Sequence, residues 1–341
     1  MQYEEADRED LLSLDFHSGL SPDAHFKSVV NIVAFLSFLQ VVFYIGASYI
    51  YETVEAFVYQ LFGKDALLYH AVLDVWDMFE YAGSFLLPLG VVLLIFRDRI
   101  FRPYIPFAPA TPPHAVSVIF FTVAVLYCFG AVSDVLLSLY EGLGIPLYYY
   151  EPPLPDTPLR ILLYFVSSVI LPAFVEEMVF RGYILHLLLP YGKTFAIIVS
   201  AVLFGLMHLY LPQLLYATAA GVLIGYFVVK SGSVWIGIFI HAINNLIAFM
   251  TDMAYVMLPY STYEIFTTLV QSLVLLCGVI GALILCAHAS GEHRGLGLES
   301  GSYYNRLLDI PTALRRTLTL PMLAYLICAV YYTLMNSIAF D

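Results

Sequence analysis

Nine apolar runs dominate this sequence, and their lengths limit the folds that the chain can adopt. The hydrocarbon core of a bilayer is about 30 Å thick, so a crossing helix needs about 20 mostly apolar residues. Because 61% of the chain is hydrophobic and only 12% is charged, its composition is far from that of a soluble domain. We therefore predict an all-α, polytopic membrane bundle of about nine transmembrane helices. The predicted spans are 28–50, 81–96, 115–139, 160–189, 195–211, 213–229, 234–258, 264–288 and 318–340.

Two regions leave the number of spans open. The runs at 195–211 and 213–229 are short and are separated only by a turn at Pro212. They are compatible with a tight hairpin, in which case eight helices would cross the membrane. Residues 53–80 mix apolar and charged side chains, and we interpret them as an interfacial or re-entrant segment. The four cysteines lie in apolar runs without metal-ligand spacing and are interpreted as buried apolar residues.

The apolar runs divide the chain into four parts. A polar cytoplasmic leader covers residues 1–27, and N-terminal transmembrane helices cover 28–150. A core at 155–255 contains the polar residues discussed below. C-terminal transmembrane helices cover 256–341, with a cytoplasmic loop at 289–317. The acidic opening MQYEEADRED lacks the basic start of a secretory signal, so the first apolar run is expected to be a retained helix.

The positions of the basic residues indicate how the helices are oriented. With a cytoplasmic N-terminus and nine spans, eleven Lys and Arg residues fall on the inside and two fall on the outside. Loops rich in Lys and Arg remain in the cytoplasm. We therefore predict a cytoplasmic N-terminus and, because nine is an odd number, a C-terminus on the outside.

Two adjacent glutamates and an arginine interrupt the fourth apolar run. A charge near the bilayer centre costs about 3 kcal/mol on insertion scales, so ionisable residues at that depth are functional candidates. Glu177 and Arg181 are four residues apart with the acid first, which favours an ion pair on a helix. Glu176 points about 100° away and has no partner on its own helix. We therefore predict that Glu176 is the reactive carboxylate, and that Pro172 bends the helix one turn before it.

Three further polar residues lie deep in other predicted spans. His241 and Asn245 are four residues apart and share one helix face. At 1.5 Å per residue, Glu176 and His208 lie roughly 21 Å from the predicted cytoplasmic ends of their helices, Asn245 roughly 18 Å and His241 roughly 12 Å. These four groups on three helices therefore fall in one layer, as a shared polar cavity requires. Other polar residues in or beside the spans are interpreted as structural or interfacial: Asp134, His186, Asn244, Asp252, His288 and His293.

A carboxylate, two histidines and an amide are suited to acyl hydrolysis with water as the nucleophile. The carboxylate takes a proton from water and returns it to the leaving amine, while imidazole and amide groups donate hydrogen bonds to the oxyanion. The sequence contains neither a His-Glu-x-x-His zinc motif nor a Gly-x-Ser-x-Gly elbow. We expect no cofactor. The alternative is a zinc-dependent enzyme with Glu176, His208 and His241 as ligands, which leaves Asn245 without a role.

Three motifs, in order across about 75 residues, resemble the CPBP family of membrane proteases. This family includes the Ras-converting CAAX endopeptidases and the bacterial Abi proteins of bacteriocin self-immunity. The motifs are Glu-Glu-x-x-x-Arg, Phe-x-x-x-His and His-x-x-x-Asn, and the resemblance covers roughly residues 155–255. The matching positions are Glu176, Glu177, Arg181, Phe204, His208, His241 and Asn245.

The resemblance implies a glutamic intramembrane endopeptidase. In that mechanism Glu176 activates the water with help from His208, and His241 and Asn245 form the oxyanion hole. The expected partners are the bilayer and a peptide or protein C-terminus, with or without a lipid, and no nucleic acid. The expected location is a bacterial plasma membrane, with CAAX-type processing or bacteriocin maturation as the task. The residues expected to order the site are Glu177, Arg181 and Phe204.

Two other functions are compatible with the same polar residues. A non-catalytic immunity or binding protein would use the cluster as a pocket. A transporter would use Glu176 and the histidines as a proton relay, but the sequence contains no internal repeat and no matching pair of broken helices.

Overall fold

The structure is a computed structural model that describes residues 21–64, 66–96, 115–148, 154–292 and 310–338. These residues form ten helices, separated by short turns where the structure describes the connection. We number the helices in chain order. They are α1 (Pro22–Phe62), α2 (Leu67–Ile95), α3 (Ala115–Gly142), α4 (Pro158–Tyr191), α5 (Lys193–Met207), α6 (Leu211–Ser231), α7 (Val234–Met257), α8 (Tyr260–Glu292), α9 (Ile310–Thr317) and α10 (Leu320–Ser337).

Eight of these helices are long and apolar enough to cross a membrane, which confirms the predicted all-α multi-pass bundle. The predicted span at 195–211 is the exception to the count of nine. It forms α5, which has only 15 residues and is about 22 Å long. This is shorter than a bilayer core. The prediction that the C-terminus lies outside requires an odd number of spans, so it stays a prediction.

The prediction of a re-entrant segment at 53–80 is wrong, and the alternative of an interfacial position stays a prediction. Residues 53–62 extend α1 and residues 67–80 begin α2, with a short turn at Gly63 between them. At 41 residues α1 is about 60 Å long, roughly twice the thickness of a bilayer core. The charged residues described in this region therefore lie on long continuous helices.

Small residues let α5 and α6 pack closely as a helical hairpin. An added Cβ at Gly221 would lie 2.8 Å from the Cα atom of Ala201, and one at Gly225 would touch Ile197 at 3.5 Å. The two helices are joined by a turn of only three residues, 208–210. Small residues on the facing side of α6 thus let the two helices approach closely.

Helix α4 is continuous but does not keep regular α geometry. Residues 166–170 and 178–185 are π-helical, and the α-helical turn Leu171–Glu177 lies between them. Pro172 has no N–H to donate, and the first π-helical segment ends just before it. Wide turns of this kind are frequent at functional sites, because they rotate side chains relative to a regular helix.

Parts of several predicted regions lie outside the described residues. The first 20 residues of the polar leader and the loop residues 293–309, including His293, belong to this group. Of the predicted loop at 289–317, residues 289–292 continue α8 and residues 310–317 form α9.

Candidate active site

The two adjacent glutamates of α4 have different surroundings. Glu177 is fully buried, and its Oε1 accepts a hydrogen bond from Arg181 Nη1 at 2.8 Å. The Arg181 side chain is also fully buried, with its guanidinium carbon 4.2 Å from the centre of the Phe204 ring. A cation above an aromatic face is stabilised by the ring quadrupole. The predicted ion pair is therefore present, and Phe204 supports its cationic side.

His241 of α7 lies between the two carboxylates. Its Nδ1 is 3.1 Å from Oε1 of Glu177, and its Nε2 is 4.0 Å from Oε2 of Glu176. A carboxylate only accepts hydrogen bonds, so Nδ1 is the donor to Glu177. The Nε2 atom is left facing Glu176, at a distance too long for a direct hydrogen bond.

The charges of these residues leave a place for one proton. With both carboxylates ionised and Arg181 charged, the group carries one net negative charge, and a single proton on Glu176 or His241 makes it neutral. Glu176 is only 4% exposed, and its Oε2 has no hydrogen-bond partner among the described residues. Glu176 and His241 are therefore placed to exchange a proton with a third group between them.

A residue missing from the predicted site contacts Glu176 directly. The hydroxyl of Tyr81, on α2, donates a hydrogen bond to Oε1 of Glu176. The two residues are 95 positions apart, and Tyr81 belongs to no motif of the predicted core. No sequence signal identified it beyond its place near the start of a predicted span.

His208 follows the last residue of α5 and has a defined tautomer. Its Nδ1 is 2.9 Å from the carbonyl oxygen of Phe204. Since a carbonyl cannot donate, Nδ1 carries the proton, and Nε2 of a neutral His208 ring is an acceptor. The ring also packs edge-on against Phe204 at a centroid distance of 5.1 Å, and Phe204 contacts His241 in the same way at 6.1 Å.

The turn that carries His208 is held by the C-terminal helix α10. Leu209 adopts φ = 50°, a left-handed conformation that is uncommon outside glycine. Its carbonyl oxygen accepts a hydrogen bond from Asn336 Nδ2 at 3.1 Å. The backbone N–H of Leu211 donates to Ser337 Oγ at 2.7 Å, so Ser337 satisfies an N-terminal donor of α6. The last helix, which had no role in the sequence analysis, thus braces this turn.

Asn245 lies one turn after His241 on α7 and is anchored to α4. Its Nδ2 donates to the carbonyl oxygen of Ser168 at 3.0 Å, and its Oδ1 is 3.4 Å from Asn244 Nδ2. An amide nitrogen has two protons, so one remains for another acceptor. These two hydrogen bonds of Asn245 reach neither Glu176 and Glu177 nor His208.

A glycine on α7 makes room for the ion pair. A Cβ added at Gly237 would lie 2.7 Å from Oε2 of Glu177 and 3.0 Å from methyl groups of Ile224 and Val228. Only a residue without a side chain therefore fits between Glu177 and α6.

The polar residues that were interpreted as structural or interfacial bond to groups outside the glutamate–histidine cluster, or to backbone carbonyls. His186 Nδ1 is 2.5 Å from the carbonyl oxygen of Arg181, Asn244 accepts the Tyr216 hydroxyl at 2.6 Å, and Asp252 accepts the Tyr164 hydroxyl at 2.8 Å. Asp134 is on α3, and its backbone carbonyl accepts the Ser138 hydroxyl. The side chain of His288 is not among those described.

The zinc alternative requires Glu176, His208 and His241 to converge on one ion. Among the residues that the structure describes, no group of three or more His, Cys, Asp and Glu side chains is placed to hold a metal ion. The chelation experiment described below distinguishes the glutamic mechanism from the zinc-dependent one.

The helices and the cluster define a class of protein: a multi-pass membrane protein with a buried carboxylate–histidine centre suited to proton transfer. Residues 158–247 match a family model described as "Type II CAAX prenyl endopeptidase Rce1-like". The chain is also 37% identical over 91 residues to the Bacillus subtilis (strain 168) protein named "Putative membrane peptidase YdiL". Both matches agree with the resemblance to CAAX-type membrane proteases, and the segment that the family model matches holds all three motifs.

The matches cover only part of the molecule. The alignment with the Bacillus subtilis relative includes 26% of this chain and 35% of that protein. No solved structure matches the chain. Helices α1–α3 and α8–α10 lie outside the segment that the family model matches.

Proposed function

We propose that this chain is a membrane-embedded endopeptidase in which Glu176 activates a water molecule. The observation that carries the proposal is the difference between the two glutamates. Glu177 is neutralised by Arg181, whereas Glu176 presents an unpartnered Oε2 towards His241 Nε2. A buried carboxylate without a cation of its own, beside an imidazole, is suited to general acid–base catalysis.

The residues have the following roles in the proposed reaction. Glu176 takes a proton from water, and the resulting hydroxide attacks the carbonyl carbon of the peptide bond. His208 helps to hold the water through its Nε2 lone pair. His241 and the second N–H of Asn245 donate to the oxyanion of the tetrahedral intermediate. Glu176 then gives its proton to the leaving amine, and the C–N bond breaks.

His241 can donate from Nε2 only as an imidazolium, because its Nδ1 proton is directed to Glu177. The Glu177 carboxylate is in contact with this ring and stabilises its charged form. The ion pair of Glu177 with Arg181 limits this stabilisation, since one carboxylate serves two cations. The proposal therefore gives Glu177 an ordering and electrostatic role, not a chemical one.

The proposed substrate is the C-terminal region of a peptide or protein, with or without a lipid. The support is the description of the matching family, which names a CAAX prenyl endopeptidase, together with the depth of the site in an apolar bundle. We further propose a plasma-membrane location with a cytoplasmic N-terminus. The support for this orientation is the charge bias counted for nine spans, which requires that α5 also crosses the membrane.

The test is cleavage of a fluorogenic peptide library by the purified protein in nanodiscs, with prenylated and unprenylated C-termini. Wild type is compared with Glu176→Gln and with the adjacent control Glu177→Gln, each with and without a zinc chelator. We expect chelation to have no effect and Glu176→Gln to abolish turnover while the protein stays folded. Full cleavage by Glu176→Gln would refute the assignment of the base. Loss of activity on chelation would establish the zinc mechanism, and no cleavage by wild type would favour the binding-protein alternative.

A further inference from the structure

The site includes a residue from α2, outside the segment that matches the protease family. The Tyr81 hydroxyl reaches Oε1 of Glu176, whereas the matched segment begins at residue 158. We propose that Tyr81 is a positioning residue that orients the Glu176 carboxylate for water activation. This inference rests on the proposed function, because it names a further part of the same site.

Tyr81 is held firmly by its neighbours. Its ring packs against Phe85 at a centroid distance of 5.2 Å, and Phe85 in turn contacts Phe180 of α4 edge-on at 6.4 Å. The Ser84 hydroxyl donates to the backbone carbonyl of Tyr81 at 2.8 Å. The Phe85 ring restricts the Tyr81 ring, and the hydroxyl therefore helps to hold the Glu176 carboxylate that accepts from it in one place.

A second contact fixes α2 against α4 two turns earlier. Arg160 donates from Nε and Nη2 to the two carboxylate oxygens of Asp74 at 2.8 and 3.0 Å. A bidentate pair restricts rotation as well as separation. Tyr81 is seven residues after Asp74 and so projects from nearly the same face of α2. Side-chain hydrogen bonds thus attach α2 to α4 at Arg160 and at Glu176, in addition to the Phe85–Phe180 contact.

The contact distinguishes the two oxygens of Glu176. Tyr81 has a single proton to donate, and it donates to Oε1. The Oε2 atom, 4.0 Å from His241 Nε2, is therefore the oxygen that receives the proton of water. A phenol that donates to the ionised carboxylate also favours the form that acts as a base.

The test compares Tyr81→Phe with the matched control Tyr164→Phe. Tyr164 also donates its hydroxyl to a carboxylate across a helix interface, but that carboxylate belongs to Asp252 and not to Glu176. Loss of a hydrogen bond to a charged group that takes part in the reaction corresponds to a decrease in rate of about ten- to a hundredfold. We expect this decrease in kcat for Tyr81→Phe, with KM unchanged, whereas Tyr164→Phe keeps the kcat of wild type.

The pH dependence separates positioning from a general loss of structure. Without its donor, the Glu176 carboxylate binds its proton more tightly, so the acidic limb of the kcat profile moves to higher pH. Incorporation of 3-fluorotyrosine at position 81 keeps the ring and makes the hydroxyl a stronger donor, so the limb moves to lower pH. The other titratable groups of the site are unchanged in these variants: Glu177, Arg181, His208 and His241.

A measurement without turnover keeps this inference distinct from the proposed function. Dicyclohexylcarbodiimide modifies protonated carboxyl groups in apolar surroundings, and mass spectrometry locates the adduct. In Tyr81→Phe, modification of Glu176 is expected to persist to higher pH than in wild type. Wild type without peptidase activity would refute the proposed function, and the labelling would still decide the role of Tyr81. Identical labelling profiles, or an unchanged kcat in Tyr81→Phe, would refute the inference.

Discussion

Replacement of Glu177 by glutamine tests the separation of roles between the two glutamates. The change keeps the shape of the side chain and removes its charge. Oε1 of Glu177 now accepts from Arg181 at 2.8 Å and from His241 at 3.1 Å. An amide oxygen can still accept these bonds, but each changes from charge-assisted to weaker, a loss of about 1 kcal/mol per bond. The larger cost comes from Arg181, whose fully buried charge loses its partner.

Removal of one member of a buried ion pair costs about 3–5 kcal/mol. Because the Phe204 ring and the charge of Glu176 still stabilise Arg181, we expect the cost of Glu177→Gln to lie near the lower end of this range, at about 3 kcal/mol. Replacement of both partners removes the stranded charge. The double variant Glu177→Gln/Arg181→Met is therefore expected to be more stable than Glu177→Gln alone.

Thermal unfolding in one detergent provides the assay for all of these variants. We expect a lower Tm for Glu177→Gln, partial recovery in the double variant, and an unchanged or higher Tm for Glu176→Gln. Residual activity is expected in Glu177→Gln below its Tm. The reasoning would be refuted if Glu177→Gln unfolded like wild type and lost all turnover, since Glu177 would then be a chemical group.

Two further predictions concern the residues that support the site. Gly237→Ala places a Cβ 2.7 Å from Oε2 of Glu177, so we expect a loss of about 1–3 kcal/mol in stability and a reduced kcat. The control Gly225→Ala is expected to be tolerated, because its Cβ would lie 3.5 Å from Ile197. Equal Tm values for the two variants would contradict this prediction. Ser337→Ala leaves the N–H of Leu211 without its acceptor, at about 1–2 kcal/mol, and hydrogen exchange should increase in residues 205–211 without increasing in α8.

Much of the fold and of the polar site was predictable from the sequence. Apolar runs of sufficient length specify helices because a chain in lipid must satisfy its own backbone hydrogen bonds. The four-residue spacing of Glu177 and Arg181 predicted their ion pair, and the structure contains it. These features depend on positions close together in the chain. The catalytic roles of Glu176, His208, His241 and Asn245 stay predictions.

The errors concern residues whose structure depends on distant neighbours. Charges at 53–80 suggested a break in the helices, but these residues continue α1 and α2. The oxyanion role predicted for His241 of α7 stays a prediction, but its placement between both glutamates was not foreseen. A helical period indicates which residues share a face, but it does not indicate which helix that face will meet.

The sequence by itself determined that this protein is a multi-pass helical bundle with a carboxylate–histidine cluster at depth. Lipid imposes that outcome, since apolar length and buried charge have large energies that are local to each helix. Only the tertiary structure decided which oxygen of Glu176 faces His241, and that Tyr81 and Ser337 support the site. Those contacts join residues 65 to 126 positions apart, and side-chain directions across packed helices are set by the whole bundle.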